Sequence, residues 1–285
     1  MALSGEGADE LFGGYLTYRA NRLADRARLL PPAISRFALA AFRHLPVSDE
    51  KIGFEYKVKR FLEGALMPSA RAHVYWNGTF SDTEKASLLR DKLPSSLNQM
   101  LAELDGLPST HDDLAPYLWF DQKYFLADDI LTKSDRMSMA HSVEVRPPFL
   151  DHRIVEFAAK LPASLKIRGT QQKVILKELM KDKLPPAILG RKKIGFDIPA
   201  HEWLRGPLRS LLTDALAHGA AEYSDVFRSD VIETYLQLHL ERKANLGYHL
   251  WGLLVLFLWM KKWRIQAASS ATPGTFLQAR VGAYT

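Results

Sequence analysis

Apolar residues recur three and four positions apart along most of this chain, with proline and glycine as the interruptions, and that pattern predicts a mainly helical protein. Residues 11–30 read as one helix stopped by Pro31-Pro32, and 33–44 as a second that ends before Pro46. Shorter helices are expected over 54–65, 69–76, 81–90 and 97–104. Residues 112–140 form a long helical stretch rich in aromatics (Tyr117, Trp119, Phe120, Tyr124, Phe125), read as core packing, with a break at Asp128-Asp129. Helices over 153–160, with Asp151 as N-cap, and over 172–182, 199–205, 208–217, 230–242 and 246–264 complete the set.

Three stretches depart from the helical period. Met1-Ala2-Leu3 is a short apolar run that leads into Ser4-Gly5-Glu6-Gly7, which is how a buried parallel strand delivers a loop to a site. Three residues are too few for a whole strand, so the chain is expected to start within a domain. Residues 143–150 alternate and carry Pro147 and Pro148, so they are expected to be extended. From Gln266 the chain turns small and polar; residues 266–285 are expected to be a flexible tail, leaving 1–265 as the domain.

Composition adds limits. The chain has 285 residues, 47% apolar and 25% charged, enough to build a core. The net charge of +6, from 38 Lys and Arg against 32 Asp and Glu, suits an anionic small substrate or nucleic acid and selects neither. There is no cysteine, which excludes disulfides, thiolate zinc sites and a cysteine-dependent glutaminase within these residues. The longest apolar run, 250–260, has 11 residues. A membrane span needs about 20, so the run reads as a buried helix. No membrane association is expected, and the expected location is cytoplasmic.

Three constellations could carry chemistry. In Ser4-Gly5-Glu6-Gly7-Ala8-Asp9-Glu10 the glycines permit close backbone approach and positive φ, and a helix start near Ala8 would turn free N–H groups toward an anion. The acids would repel phosphate unless Mg²⁺ intervened, sharing carboxylate and phosphate oxygens. This is a nucleotide–Mg²⁺ site or a turn with capping acids. Glu144 and Arg146 lie two apart in an extended segment and share a face. They could clamp an amino acid's ammonium and carboxylate, or simply pair with each other. In Gly190-Arg191-Lys192-Lys193-Ile194-Gly195-Phe196 a lysine could stabilise departing pyrophosphate, or the stretch could be a solvated basic turn. Lys173 could face a nucleotide; a surface position is the plainer expectation.

Four stretches occur in order: the 4–10 turn, Asp135-Arg136-Met137-Ser138-Met139-Ala140, Glu144-Val145-Arg146-Pro147-Pro148-Phe149-Leu150-Asp151, and Arg191-Lys192-Lys193-Ile194-Gly195-Phe196. Together they resemble the synthetase domain of the glutamine-hydrolysing asparagine synthase family, from about Leu3 to Arg264. The resemblance implies the helical C-terminal portion of an α/β synthetase domain of the adenine-nucleotide alpha-hydrolase (PP-loop ATPase) type, with its N-terminal parallel-sheet part largely missing. It implies that ATP adenylates the side chain of aspartate and that ammonia then attacks the β-aspartyl-AMP. Ser4 and Gly5 would touch ATP. Glu6 would support the intermediate and accept a proton from the incoming ammonium. Asp9 would help hold Mg²⁺. Lys193 would face pyrophosphate, with Lys192 as its nearest rival, and Glu144 and Arg146 would lie near the amino acid.

Full-length members of that family also carry a cysteine-dependent glutaminase domain and a Ser-Gly-Gly-x-Asp-Ser pyrophosphate loop. Neither is present here, so the isolated chain is expected to be incomplete and inactive, dependent on those segments for ammonia drawn from glutamine. A homodimer is among the expectations, and nucleic acid is not. The alternatives are a related amidotransferase or β-lactam or lasso-peptide synthetase, or a non-catalytic helical module that binds a partner. The retained Glu6 and Asp9 argue against a phosphate-backbone ligand.

Overall fold

The structure is a computed structural model that describes residues 1–42, 54–91, 96–107, 112–191 and 198–265. It is mainly α-helical with four two-residue strands among the described residues, as the apolar periodicity predicts. The chain divides into two compact units.

The first unit holds 1–39, 61–77 and 96–195. Its helices include Ala8–Phe12, Leu16–Ala27, Ser69–Asn77 and His152–Lys160. The single helix expected over 11–30 is two: Ala8–Phe12 ends where Gly13 adopts φ 70°, and a new helix begins at Leu16. A left-handed glycine after the last helical residue is the usual way a helix stops. The stretch 112–140 does not break at Asp128-Asp129 either. Ala115–Phe120 runs into a π-helical segment, Asp121–Leu131, and then into Thr132–Met139, so the rod continues with its hydrogen bonds shifted to wider turns. Tyr117 and Phe120 are buried, in line with the core reading of the aromatics. Asp151 caps His152–Lys160, its carboxylate accepting from the Arg153 N–H at 2.9 Å. The helix expected over 172–182 is Val174–Met180, preceded by a small hairpin in which Ile167–Arg168 pairs antiparallel with Gln171–Gln172 around Gly169.

The second unit holds 40–60, 78–95 and 196–285. Arg209–Glu222, Ser229–Leu240 and Gly247–Lys262 pack around Leu212, Leu216, Leu250, Leu253, Leu254 and Phe257. Gly219 is needed there, since a Cβ would lie 2.3 Å from the Phe257 ring. The 250–260 run departs from its expected burial: Leu250, Leu253, Leu254, Phe257 and Met260 are buried, whereas Val255, Leu256, Leu258 and Trp259 face solvent. No helix among the described residues is long and apolar enough to cross a membrane.

Candidate active site

Ala2–Leu3 and Val145–Arg146 form a parallel pair, with Ala2 opposite Val145 and Leu3 opposite Arg146. The Ala2 N–H donates to the Glu144 carbonyl at 2.8 Å and the Ser4 N–H to the Arg146 carbonyl at 3.1 Å. Two stretches far apart in sequence are thereby placed side by side, and both end at the 4–7 turn. Gly7 has φ 86° and starts the Ala8–Phe12 helix without a side-chain cap. A Cβ there would fall 2.3 Å from Leu150 Cδ2, so this turn accepts glycine alone. Around Gly5, by contrast, nothing lies within 4 Å of an added Cβ, which leaves open space beside the backbone.

The short helix presents Asp9 and Glu10 to different surroundings. Asp9 is partly exposed and its carboxylate lies 2.8 Å from Lys173 Nζ. Lys173 is no free surface lysine: it is half-buried, adopts φ 54° and starts the Val174–Met180 helix. Gly14 lets the pair form, because a Cβ on it would sit 1.7 Å from Asp9 Oδ1 and 2.4 Å from Lys173 Cε. Glu10 is buried and accepts a hydrogen bond from the Tyr15 hydroxyl. Burial pushes its carboxyl above the usual range; the Tyr15 hydrogen bond pulls back, and the charges of Asp9 and Asp121 add to the rise. The Tyr15 hydroxyl is pushed up as well, by burial first and then by Glu10.

Behind this helix the polar groups continue inward. The Gln122 side-chain amide donates to the Glu10 carbonyl at 3.2 Å. His73 is fully buried, with Nδ1 2.9 Å from Asn21 Nδ2 and Nε2 2.9 Å from Asp121 Oδ1. Tyr18 stacks on the His73 ring. Buried polar groups that are paired in this way fix a single arrangement of the elements that carry them. The motif reading missed His73 as part of this neighbourhood, took Glu10 only as one of the acids of the turn, and preferred a surface position for Lys173. The Gly13-Gly14 doublet was the one local signal of a close approach.

Glu144 and Arg146 form an exposed pair, with Arg146 Nε 2.8 Å from Glu144 Oε1. Of the two readings open in the sequence, mutual pairing is the geometry found. The hydrogen bond from Arg146 and its charge hold the Glu144 carboxyl below its usual range. Lys193 and Lys192 lie outside the described residues, as does 266–285; Arg191 is exposed. Ser4, Glu6 and Asp9 are neither fully buried nor fully exposed, and they line the turn with Gly5.

Comparison with known proteins bears on this arrangement. The sequence model of the family described as asparagine synthase matches residues 1–264. The chain is 28% identical over 260 residues to asparagine synthetase (glutamine-hydrolyzing) 1 of Bacillus subtilis, covering 91% of this chain and 40% of that protein. Asparagine synthetase (glutamine-hydrolyzing) 3 of the same organism is 26% identical over 213 residues, covering 72% and 29%. Amidase chry2 of Gibberella zeae is 27% identical over 242 residues, covering 77% and 35%. No solved structure matches the chain. The chain thus spans about two-fifths of the length of the first of these relatives. With the family match running over the turn, the paired strands and the helices behind them, the chain belongs to the asparagine synthase family.

Proposed function

We propose that this chain forms part of an ATP-dependent amide-forming enzyme. In this reading aspartate is converted to asparagine through β-aspartyl-AMP, with ammonia drawn from glutamine by a glutaminase domain outside these residues. The observation that carries it is the 4–10 turn. A parallel strand delivers it, open space lies beside Gly5 where a Cβ would project, and Asp9 pairs with Lys173 at 2.8 Å.

The charge balance of the turn admits a phosphate ligand together with a shared cation. Lys173 offsets Asp9, leaving Glu6 as the uncompensated acid of the loop. Glu6 and Asp9 offer hard oxygen donors three residues apart. That is a fitting partial set for Mg²⁺, which takes one or two carboxylates and completes its shell with phosphate and water. When bound there, the ion supplies neutralisation of phosphate charge. Ser4 and Gly5 approach the nucleotide through backbone and hydroxyl. Glu6 supports formation of the acyl-adenylate and then accepts the proton released as ammonia attacks the acyl carbon. Lys193 is assigned to the departing pyrophosphate.

The Glu144–Arg146 pair fits an amino-acid site. An incoming α-carboxylate and α-ammonium replace one exposed ion pair with two, so few interactions are lost on binding. With ATP and aspartate as substrates, the proposed compartment is the cytoplasm. The relative named an amidase makes a different carboxylate substrate the second reading, separated from the first by whether aspartate supports exchange.

The test is aspartate-dependent ATP–pyrophosphate exchange. It is measured in a longer protein that joins this chain to a glutaminase domain and a pyrophosphate loop. Glu6→Gln and Lys193→Ala should each lower exchange by about 10²-fold or more, the usual effect of removing a group that stabilises transition-state charge. Wild-type exchange in both variants overturns the site. Exchange by the isolated chain overturns its dependence on other segments.

A further inference from the structure

The Ala8–Phe12 helix that carries Asp9 and Glu10 has five residues. Helices shorter than about 12 residues are marginal on their own hydrogen bonds, so this one depends on its surroundings. Its backbone groups find partners in two ways. The Gly7 carbonyl accepts from the Leu11 N–H at 3.0 Å and the Asp9 carbonyl from the Gly14 N–H at 2.8 Å, both within the turn. The Glu10 carbonyl is met by a side chain 112 residues away in sequence: the Gln122 amide donates to it at 3.2 Å.

Gln122 is the second residue of the π-helical Asp121–Leu131 segment. π-helical turns are rare and recur at functional sites. This one is anchored on both sides of Gln122. Asp121 pairs with the fully buried His73 at 2.9 Å, which fixes the start of the segment. Phe125 sets its ring edge-on to Tyr15, with centroids 5.7 Å apart, and Tyr15 in turn donates to the Glu10 carboxyl. Gln122 lies between these anchors and is half-buried, so its amide is held in place before it meets the carbonyl.

We propose that Gln122 is a positioning residue of the acidic turn, whose hydrogen bond to the Glu10 carbonyl fixes the direction of the short helix and so the aim of Asp9. The inference rests on the function proposed above for that turn. Lys173 restrains Asp9 at its carboxylate, and Gln122 restrains the backbone one residue further on. Leu11 and Phe12 pack in an apolar cluster with Ala158, and that packing does not need the amide. Loss of the amide therefore loosens the direction of the helix and leaves the core in place.

Gln122→Met keeps the length of the side chain and removes the donor. In the full chain, hydrogen–deuterium exchange of the Leu11 and Gly14 amides should quicken roughly three- to tenfold, the weight of one hydrogen bond. The Leu212 amide of the second unit, which donates to the Leu208 carbonyl, should keep its rate. In the longer protein, KM for Mg²⁺–ATP in pyrophosphate exchange should rise by a similar factor, with KM for aspartate and the urea midpoint near wild type. Gln122→Glu, equally long and without the donor, should do at least as much beside Asp9 and Glu10. Unchanged Leu11 and Gly14 amides overturn the proposal, as does an unchanged KM for Mg²⁺–ATP. A rise in both KM values with a lower urea midpoint marks a merely structural residue and also overturns it. If the wild-type longer protein gives no aspartate-dependent exchange while Gln122→Met still loosens the two amides, the positioning of the turn stands and the reaction assigned to it falls.

Discussion

Asp9 and Glu10 are neighbours in sequence, yet one meets Lys173 at the edge of the turn and the other is shut away with Tyr15. Burial raises the pKa of Glu10 above the 4.5 of an ordinary glutamate. The folded protein therefore keeps a proton on Glu10 at pH values where the unfolded chain has lost it. The resulting contribution to stability is complete at low pH and is lost as pH rises through the folded pKa. Glu10→Gln keeps the neutral shape. In urea titrations between pH 4 and 8 its midpoint should gain on wild type as pH rises, and a gain independent of pH would show that Glu10 is charged in the fold. His239 has the opposite sign. Burial first, and then Arg205, bring it down to about 4, so it contributes stability above pH 6.5 that is lost as pH falls.

At the scale of elements, local chemistry sets the ends of helices and tertiary contacts set their interiors. Ser81 starts Asp82–Leu88 with a complete capping box: its hydroxyl accepts from the Glu84 N–H at 3.2 Å, and Glu84 Oε2 accepts from the Ser81 N–H at 2.7 Å. Burial alone would raise the Glu84 carboxyl, but hydrogen bonds from His249 and from the Ser81 side chain and backbone carry it down to about 2. Ser81→Ala removes both bonds of the hydroxyl, the one accepted from the Glu84 N–H and the one donated to Glu84 Oε2, and should lower stability by about 1 kcal/mol. In urea this appears as a lower midpoint with an unchanged slope, and an unchanged midpoint would mean the box contributes nothing. The π-helical Asp121–Leu131 has the opposite origin. Its first residues are tied from outside, Asp121 to His73 and Gln122 to the Glu10 carbonyl, and no local pattern in 121–131 announces a change of helical register.

The largest scale brings in what the chain leaves uncovered. Parallel strands are ordinarily covered on both faces, but Leu3, in the parallel pair that carries the turn, is 71% exposed. Under the function proposed above, this face is where the rest of a longer protein would pack. Leu3→Lys should leave the thermal midpoint of this chain within about 2 °C of wild type, as surface changes do, while lowering exchange activity in the longer protein. A large drop in the chain's own midpoint would show that the strand already belongs to a finished core. Consecutive residues by themselves determined the helical class, the Asp151 cap, the glycine turn at 5–7 and the order of motifs that marks the family. Each of these rests on spacing, caps and backbone preference within a few positions. The tertiary structure alone decided that residues 2–3 lie beside 145–146, that Lys173 answers Asp9, that Glu10 is buried, and that half of an apolar helix faces water. Those outcomes depend on which of many equally suitable partners the packing brings within contact distance, and sequence spacing carries no record of that choice.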